Sequence, residues 1–460
     1  MLTMFDVEER FMNGKLVEEK EYELKMLPNK LKELKQKYGL KYNPEEIIPS
    51  KIDSEIKDIF NAAVDLIEEL GFYNPDTRRV ATFTRREIED HVRSVPHRIV
   101  YGEGQDAVVA YNRKPEDKIK PLIECGTYGT PISDEIYIPL NAGFAQEGNR
   151  LWSAGIRRFD NKFDVVSGAP SEVLAGMTEG YRMREALRRA GKPGMQLVGV
   201  GSASSDKIFF AAFNAPGGYR RTVDCALISF PAEMKMPWDR LNRSAWCQQE
   251  GIMQNPNSQT ILGGYAGGPE TAVICHVAEE IGTSLVTNAP HTGAGSICDF
   301  NGYFGNKQTV WANSRAILAI KTYYSSIVWG GFGPAAGPCT DVVLLEMAAL
   351  VPMYQACGMD WICGNVSTIG VLEDHQTPLE VRFQNEIHEA CLGIKLADAE
   401  EFYNRIQPLY KDRLDVTHHS PGGKRFQDCY DPIKLTPSKE WLDIYNEVKK
   451  KLAEFGYEWK

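Results

Sequence analysis

No apolar run in the 460-residue sequence approaches the roughly 18 uncharged residues that a membrane span requires. The first 20 residues mix charges with an acidic excess and hold no signal-like apolar core, so a cytoplasmic protein is expected. A basic excess is also missing. The 52 Lys+Arg stand against 62 Asp+Glu, a net charge of -10 that repels phosphate backbones, and nucleic acid is not expected as a partner. The ten cysteines contain no Cys-x-x-Cys pair, which argues against zinc knuckles and a disulfide framework and for reduced, buried thiols. Internal repeats and low-complexity tracts are absent as well. What remains is ordinary globular composition, 43% hydrophobic and 25% charged, in a chain long enough for roughly two to four average domains or one large single-core enzyme fold.

Residues 1–119 read as a charged helical extension with a hairpin. From Asp53 to Leu70 the apolar residues fall on one helical stripe that stops at Gly71, and Thr84 with Glu87 has the spacing of a capping box. Arg98 to Tyr111 reads as a hairpin turning at Gly102 to Gln105. From residue 120 to 396 the texture changes to eight short apolar runs: Leu122–Cys125, Phe163–Val166, Met195–Val200, Cys225–Phe230, Thr260–Leu262, Ser284–Val286, Ser326–Trp329 and Trp361–Cys363. Helix-length segments such as Glu172–Arg189, Trp238–Gln249 and Glu270–Ile281 separate them. Buried strands alternating with helices are what parallel pairing needs, and the count of eight predicts a closed α/β (β/α)8 TIM barrel. An open doubly wound sheet has the same alternation. Residues 397–460 return to helix and loop, a helical tail expected to pack on the barrel or on a neighbouring subunit.

Function in such a barrel sits where the strands end, and glycine clusters there suit a wide mouth. Glu233 is the one carboxylate directly following an apolar run. It reads either as a charge or general acid/base facing a substrate, or as a charge neutralised by Lys235 or Arg240. Tyr128, Tyr265, Trp329 and Phe332 could wall a pocket holding a methylated cation by cation–π contact, or simply fill the core. His291, in a Pro-His-Thr-Gly loop, is a candidate for proton transfer or a structural histidine. The Gly199-Val200-Gly201 turn lacks the third glycine of the dinucleotide fingerprint, Ser204 standing in its place, and the Gly263 to Gly268 loop lacks the Lys-Ser/Thr ending of a P-loop. His388-Glu389 and His418-His419 lack ligand spacing, so no metal site is expected.

Several stretches taken together resemble the monomethylamine methyltransferase family of methanogens. They are Pro131 to Glu135, Ala190 to Met195, Leu262 to Gly268, Ala336 to Asp341 and Phe426 to Asp431, in order, followed by Thr436-Pro437 and a terminal helix. The resemblance implies a TIM barrel, a homo-oligomer (a hexamer), and transfer of a methyl group from an amine to the cobalt of a separate corrinoid protein. It also implies that this chain binds no cofactor of its own. The family's pyrrolysine, expected shortly after the Lys-Pro-Gly-Met segment, falls at Val198, an ordinary residue. By the same resemblance a family glutamine falls at Gly331 and a family acid at Asn257, while Glu233 is retained as the catalytic candidate. A pyrrolysine-free relative suits a donor already activated as a leaving group, a quaternary ammonium, a sulfonium or a related methylated amine. Two other classes stay open: a non-catalytic binding protein for a methylated molecule or a corrinoid partner, and a nicotinamide oxidoreductase using the Gly199 turn.

Overall fold

The computed structural model describes residues 2–49 and 52–459. Eight parallel strands wind into a barrel: β1 Leu122–Gly126, β2 Arg150–Trp152, β3 Leu197–Gly199, β4 Cys225–Ser229, β5 Met253–Asn257, β6 His291–Gly293, β7 Ile327–Gly331 and β8 Trp361–Cys363. Each is followed by a helix that returns the chain to the opposite end: α1 Asp134–Glu147, α2 Pro170–Ala190, α3 Asp206–Asn214, α4 Trp238–Glu250, α5 Pro269–Thr287, α6 Lys307–Ala319, α7 Asp341–Ala356 and α8 Pro378–Ala390. Parallel ladders run unbroken from β5 through β4, β3, β2, β1, β8 and β7 to β6. Between β5 and β6 the ladder gives way to a single parallel bridge above the strands, Ile261 with Cys298. The sheet is therefore a ring with one seam, not an open layer.

Local chemistry sets the helix ends. Pro170 and Pro269 begin α2 and α5 at positions that need no N–H, and α2 and α4 end on left-handed Gly191 and Gly251. Along α5 and α7 nearly every residue is buried. That pattern needs cover on the side away from the barrel. The helix Ile52–Glu69 of the extension packs on α5, and the tail helices Leu396–Ile406 and Lys439–Ala453 pack on α7. One continuous apolar core consequently runs through extension, barrel and tail. The hairpin Arg98–Tyr101 with Val108–Tyr111 seals the N-terminal end of the barrel, where Ile99, Tyr101 and Ala110 join the inward residues Val198, Trp152 and Trp361. All ten cysteines are buried, and no helix among the described residues is long and apolar enough to cross a membrane.

Three of the eight expected runs are misplaced. Phe163–Val166 is no barrel strand; Phe163–Asp164 forms a small antiparallel pair with Arg158–Phe159 on the rim, and the second barrel strand is Arg150–Trp152. Thr260–Leu262 lies just past the true strand, Met253–Asn257. Ser284–Val286 belongs to α5, whose apolar surface continues all round, and the sixth strand is His291–Gly293.

Candidate functional site

Side chains alternate across a strand, so residues two apart share a face. On β2 both Arg150 and Trp152 point into the barrel; on β5 so do Asn255 and Asn257, and on β6 His291 and Gly293. The inward set forms two storeys. The lower storey is polar and closed. Arg150 donates to Glu124 and, at 2.9 Å, to Asn255, while its guanidinium lies 5.2 Å and 4.9 Å from the rings of Tyr101 and Trp361. His291 bonds Tyr101 through Nδ1 at 3.1 Å and Asn255 through Nε2 at 2.8 Å. Burial, with the Arg150 charge added, holds the His291 pKa well below its usual value, so the imidazole stays neutral.

The upper storey opens toward the C-terminal ends of the strands. Tyr128, Trp152 and Trp329 form a run of rings, 4.8 Å between the first two centroids and 5.4 Å between the last two, with Val198 buried beside them. Tyr128 is itself partly exposed, as are Leu227, Ser229, Asn257 and Gly331 above the rings, although the outward residues between them are buried. That alternation marks the open end of the lumen. The indole N–H of Trp329 and Oδ1 of Asn257 are buried without a hydrogen-bond partner among the described residues. The site therefore combines aromatic faces with spare polar atoms, the composition of a small-cation pocket. No cluster of three or more metal-ligating side chains occurs among the described residues.

Carboxyls from the outer helices grip the rim. On α2, Glu172 accepts the Ser204 N–H at 2.8 Å, and Glu179 accepts those of Gly201 and Ser202 at 2.8 and 2.6 Å. On α7, Glu346 accepts from Ala335 and Ala336 at 3.0 and 2.9 Å. Loop amides of both glycine-rich turns are thus taken by carboxylates: Gly201 by Glu179, Tyr265 and Ala266 by Glu233. Neither turn is a phosphate cradle, which removes the basis for the nicotinamide reading.

Burial pushes Glu279, Glu346 and Glu380 up to about 7 from the usual 4.5. Each binds its proton more tightly folded than unfolded, so its contribution to stability is complete below about pH 4.5 and is lost as pH rises to about 7. Urea unfolding at a series of pH values should show stability falling across that window, by about 1.4 kcal/mol per pH unit for each group. Glu346→Gln should flatten the slope; an unchanged slope would contradict the assignment.

The residues singled out in the sequence separate into two groups. Tyr128, Val198, Asn257, Trp329 and Gly331 meet in or above the upper storey. The other four do not. Glu233, at a left-handed φ of 68°, turns to the 263–268 loop, accepting the Tyr265 N–H at 2.8 Å and the Ala266 N–H at 3.4 Å. Its neighbours Met234 and Met236 bond Tyr73 of the extension, so it clasps a loop on the outer side of the wall. His291 belongs to the closed floor. Phe332 packs 5.4 Å from Tyr354 of α7, behind the wall, and Tyr265 stands exposed on the rim. One residue of the upper storey carried no sequence signal: Trp152, whose strand begins with an arginine.

The model of the family described as Monomethylamine methyltransferase MtmB matches residues 2–457. The chain is 30% identical to Monomethylamine methyltransferase MtmB of Methanosarcina mazei over 453 residues, covering 98% of this chain and 97% of that one. It is equally 30% identical to MtmB1 of Methanosarcina barkeri over 454 residues, with the same coverage. The crystal structure of the Methanosarcina barkeri enzyme superposes with a TM-score of 0.93 at 29% identity, over 99% of this chain and 98% of that one. A hydroxylamine complex of MtmB has the same TM-score and coverage.

Proposed function

The chain belongs to the monomethylamine methyltransferase MtmB family and is a methyltransferase; on that premise we propose that it moves the methyl group of a small methylated ammonium cation to the Co(I) of a corrinoid carried by a separate protein. The observation that carries the reading is the run of rings Tyr128, Trp152 and Trp329 at the open end of the barrel. An ammonium centre on those faces is attracted to their quadrupoles, and burial strengthens the attraction. Its methyl group then points to the mouth, the side that the hairpin below leaves free.

The corrinoid supplies the nucleophile; this chain's residues seat and orient the donor and exclude water around it. Val198 offers no electrophile, so on this reading transfer proceeds without a covalent anchor to the protein. A docking collar suits the partner: Phe163, Val166, Tyr265, Phe300 and Val371 are exposed on the rim loops after β2, β5, β6 and β8. Quaternary ammonium and sulfonium donors are the second reading, favoured by rings that recognise a cation without needing an N–H.

The test mixes the purified chain with reduced free cobalamin and, in turn, methylammonium, tetramethylammonium and trimethylsulfonium, and follows methylation of the corrinoid by absorbance. At least one donor should react at a rate that depends on the protein. No reaction with any of them, and no binding of any by calorimetry, would discard the reading.

A further inference from the structure

Glu280 lies on α5, in the face packed against the seam between β5 and β6. Its Oε1 accepts the Ser258 N–H at 3.0 Å, directly after β5. Its Oε2 has no hydrogen-bond partner among the described residues. A Cβ built on Gly293 would stand well inside van der Waals contact distance of that oxygen. Gly293 is two residues beyond the inward-facing His291 on β6, so the space its missing side chain leaves is lumen. Trp329 is the cross-strand partner of Gly293, and Asn257 precedes Ser258. The carboxyl thus passes through the seam and emerges in the upper storey between Trp329 and Asn257. Burial there, with Glu279 adding repulsion, raises its pKa well above the usual carboxyl value, while the Ser258 and Gly293 N–H groups oppose the shift.

We propose that Glu280 is the catalytic carboxyl of this site, accepting an N–H of the bound methylammonium and keeping the nitrogen fully protonated while the methyl group departs. The inference rests on the methyltransferase reading above and narrows its donors to those with at least one N–H. In the proposed cycle the carboxyl is protonated while the site is empty; as methylammonium enters, that proton passes to solvent and Glu280 becomes the counter-ion. In the transfer the C–N bond breaks and its electron pair stays on nitrogen, which leaves as neutral ammonia; the new bond to carbon uses the electron pair of the Co(I) corrinoid. Glu280 recovers a proton from water once ammonia has gone. Without a paired carboxylate, the buried cation would lose its proton on desolvation, and an amide anion is a far poorer leaving group.

Two variants and one wild-type measurement test this. With free cob(I)alamin as acceptor, Glu280→Gln should lower kcat/KM for methylammonium by about 100-fold or more, through weaker binding of the cation as well as a slower transfer. Gly293→Ala, which drives a methyl group into the carboxyl's place, should do the same. In wild-type protein, infrared difference spectra on adding methylammonium should show the loss of one protonated-carboxyl band, and Glu280→Gln should lack that loss. Full activity in either folded variant would overturn the assignment. Should both variants fail to fold, the wild-type spectrum decides: methylammonium binding without loss of a protonated carboxyl also overturns it. If wild type neither binds nor demethylates methylammonium, the donor reading itself fails, an outcome distinct from a wild type that reacts and variants that react equally well.

Discussion

Replacing Trp329 with leucine should weaken methylammonium binding by about 30-fold, because a desolvated cation–π contact is worth ~2 kcal/mol. Trp329 is nearly buried against Trp152 and stands opposite Gly293. Trp329→Phe is the informative companion. It keeps an aromatic face but gives up the indole N–H and some of the quadrupole, so its loss should stay below about tenfold. Calorimetric titration of both variants separates face from volume. Equal affinity for leucine, phenylalanine and tryptophan at this position would mean that the rings are core filling and that the donor sits elsewhere.

The second large effect concerns the floor. Arg150→Met should destabilise the protein by about 3–5 kcal/mol, because it strands Glu124 as a buried, uncompensated acid. Both side chains are inaccessible, and the pair is bridged further to Asn255, Tyr101 and Trp361. Arg150→Met combined with Glu124→Leu should recover most of that loss, since replacing a whole buried pair with apolar groups of similar size is often neutral. Urea denaturation of the two single variants and the double variant measures the coupling. Additive losses would show that the pair acts through packing rather than charge.

The same polar floor explains what the sequence conceals. A buried strand is legible as an apolar run, and five of the eight are such runs: four have apolar or small inward residues, and in Leu122–Gly126 the single inward acid, Glu124, is flanked by apolar neighbours. Arg150–Trp152 begins with the guanidinium that fills the lumen, and Met253–Asn257 presents Asn255 and Asn257 inward, so neither looks like a buried strand. Ser284–Val286 misleads for the opposite reason: α5 is covered by barrel and extension together and reads apolar in every register. Among the residues of the candidate site, Tyr128 and Trp329 are legible because they follow or lie in correctly placed strands. Glu233 is not, since its position in the chain says nothing of the outward turn that its left-handed backbone makes. Glu280 sits beside Glu279 on a helix, where two acids ordinarily mark a solvated face; only the glycine facing it across the seam reveals where the second one goes.

The hairpin beneath the barrel makes the chamber a blind alley. Whatever reacts above Trp152 and Trp329 must come and go through one doorway, and a macrocycle broad enough to reach the methyl group would stopper it. On the proposed reading, order of arrival is then compulsory: the small amine first, the bulky acceptor second. On that reading the spent amine would have to wait until the acceptor departs before it could diffuse away, and turnover would be governed by how long the two proteins stay together as much as by the bond that changes hands.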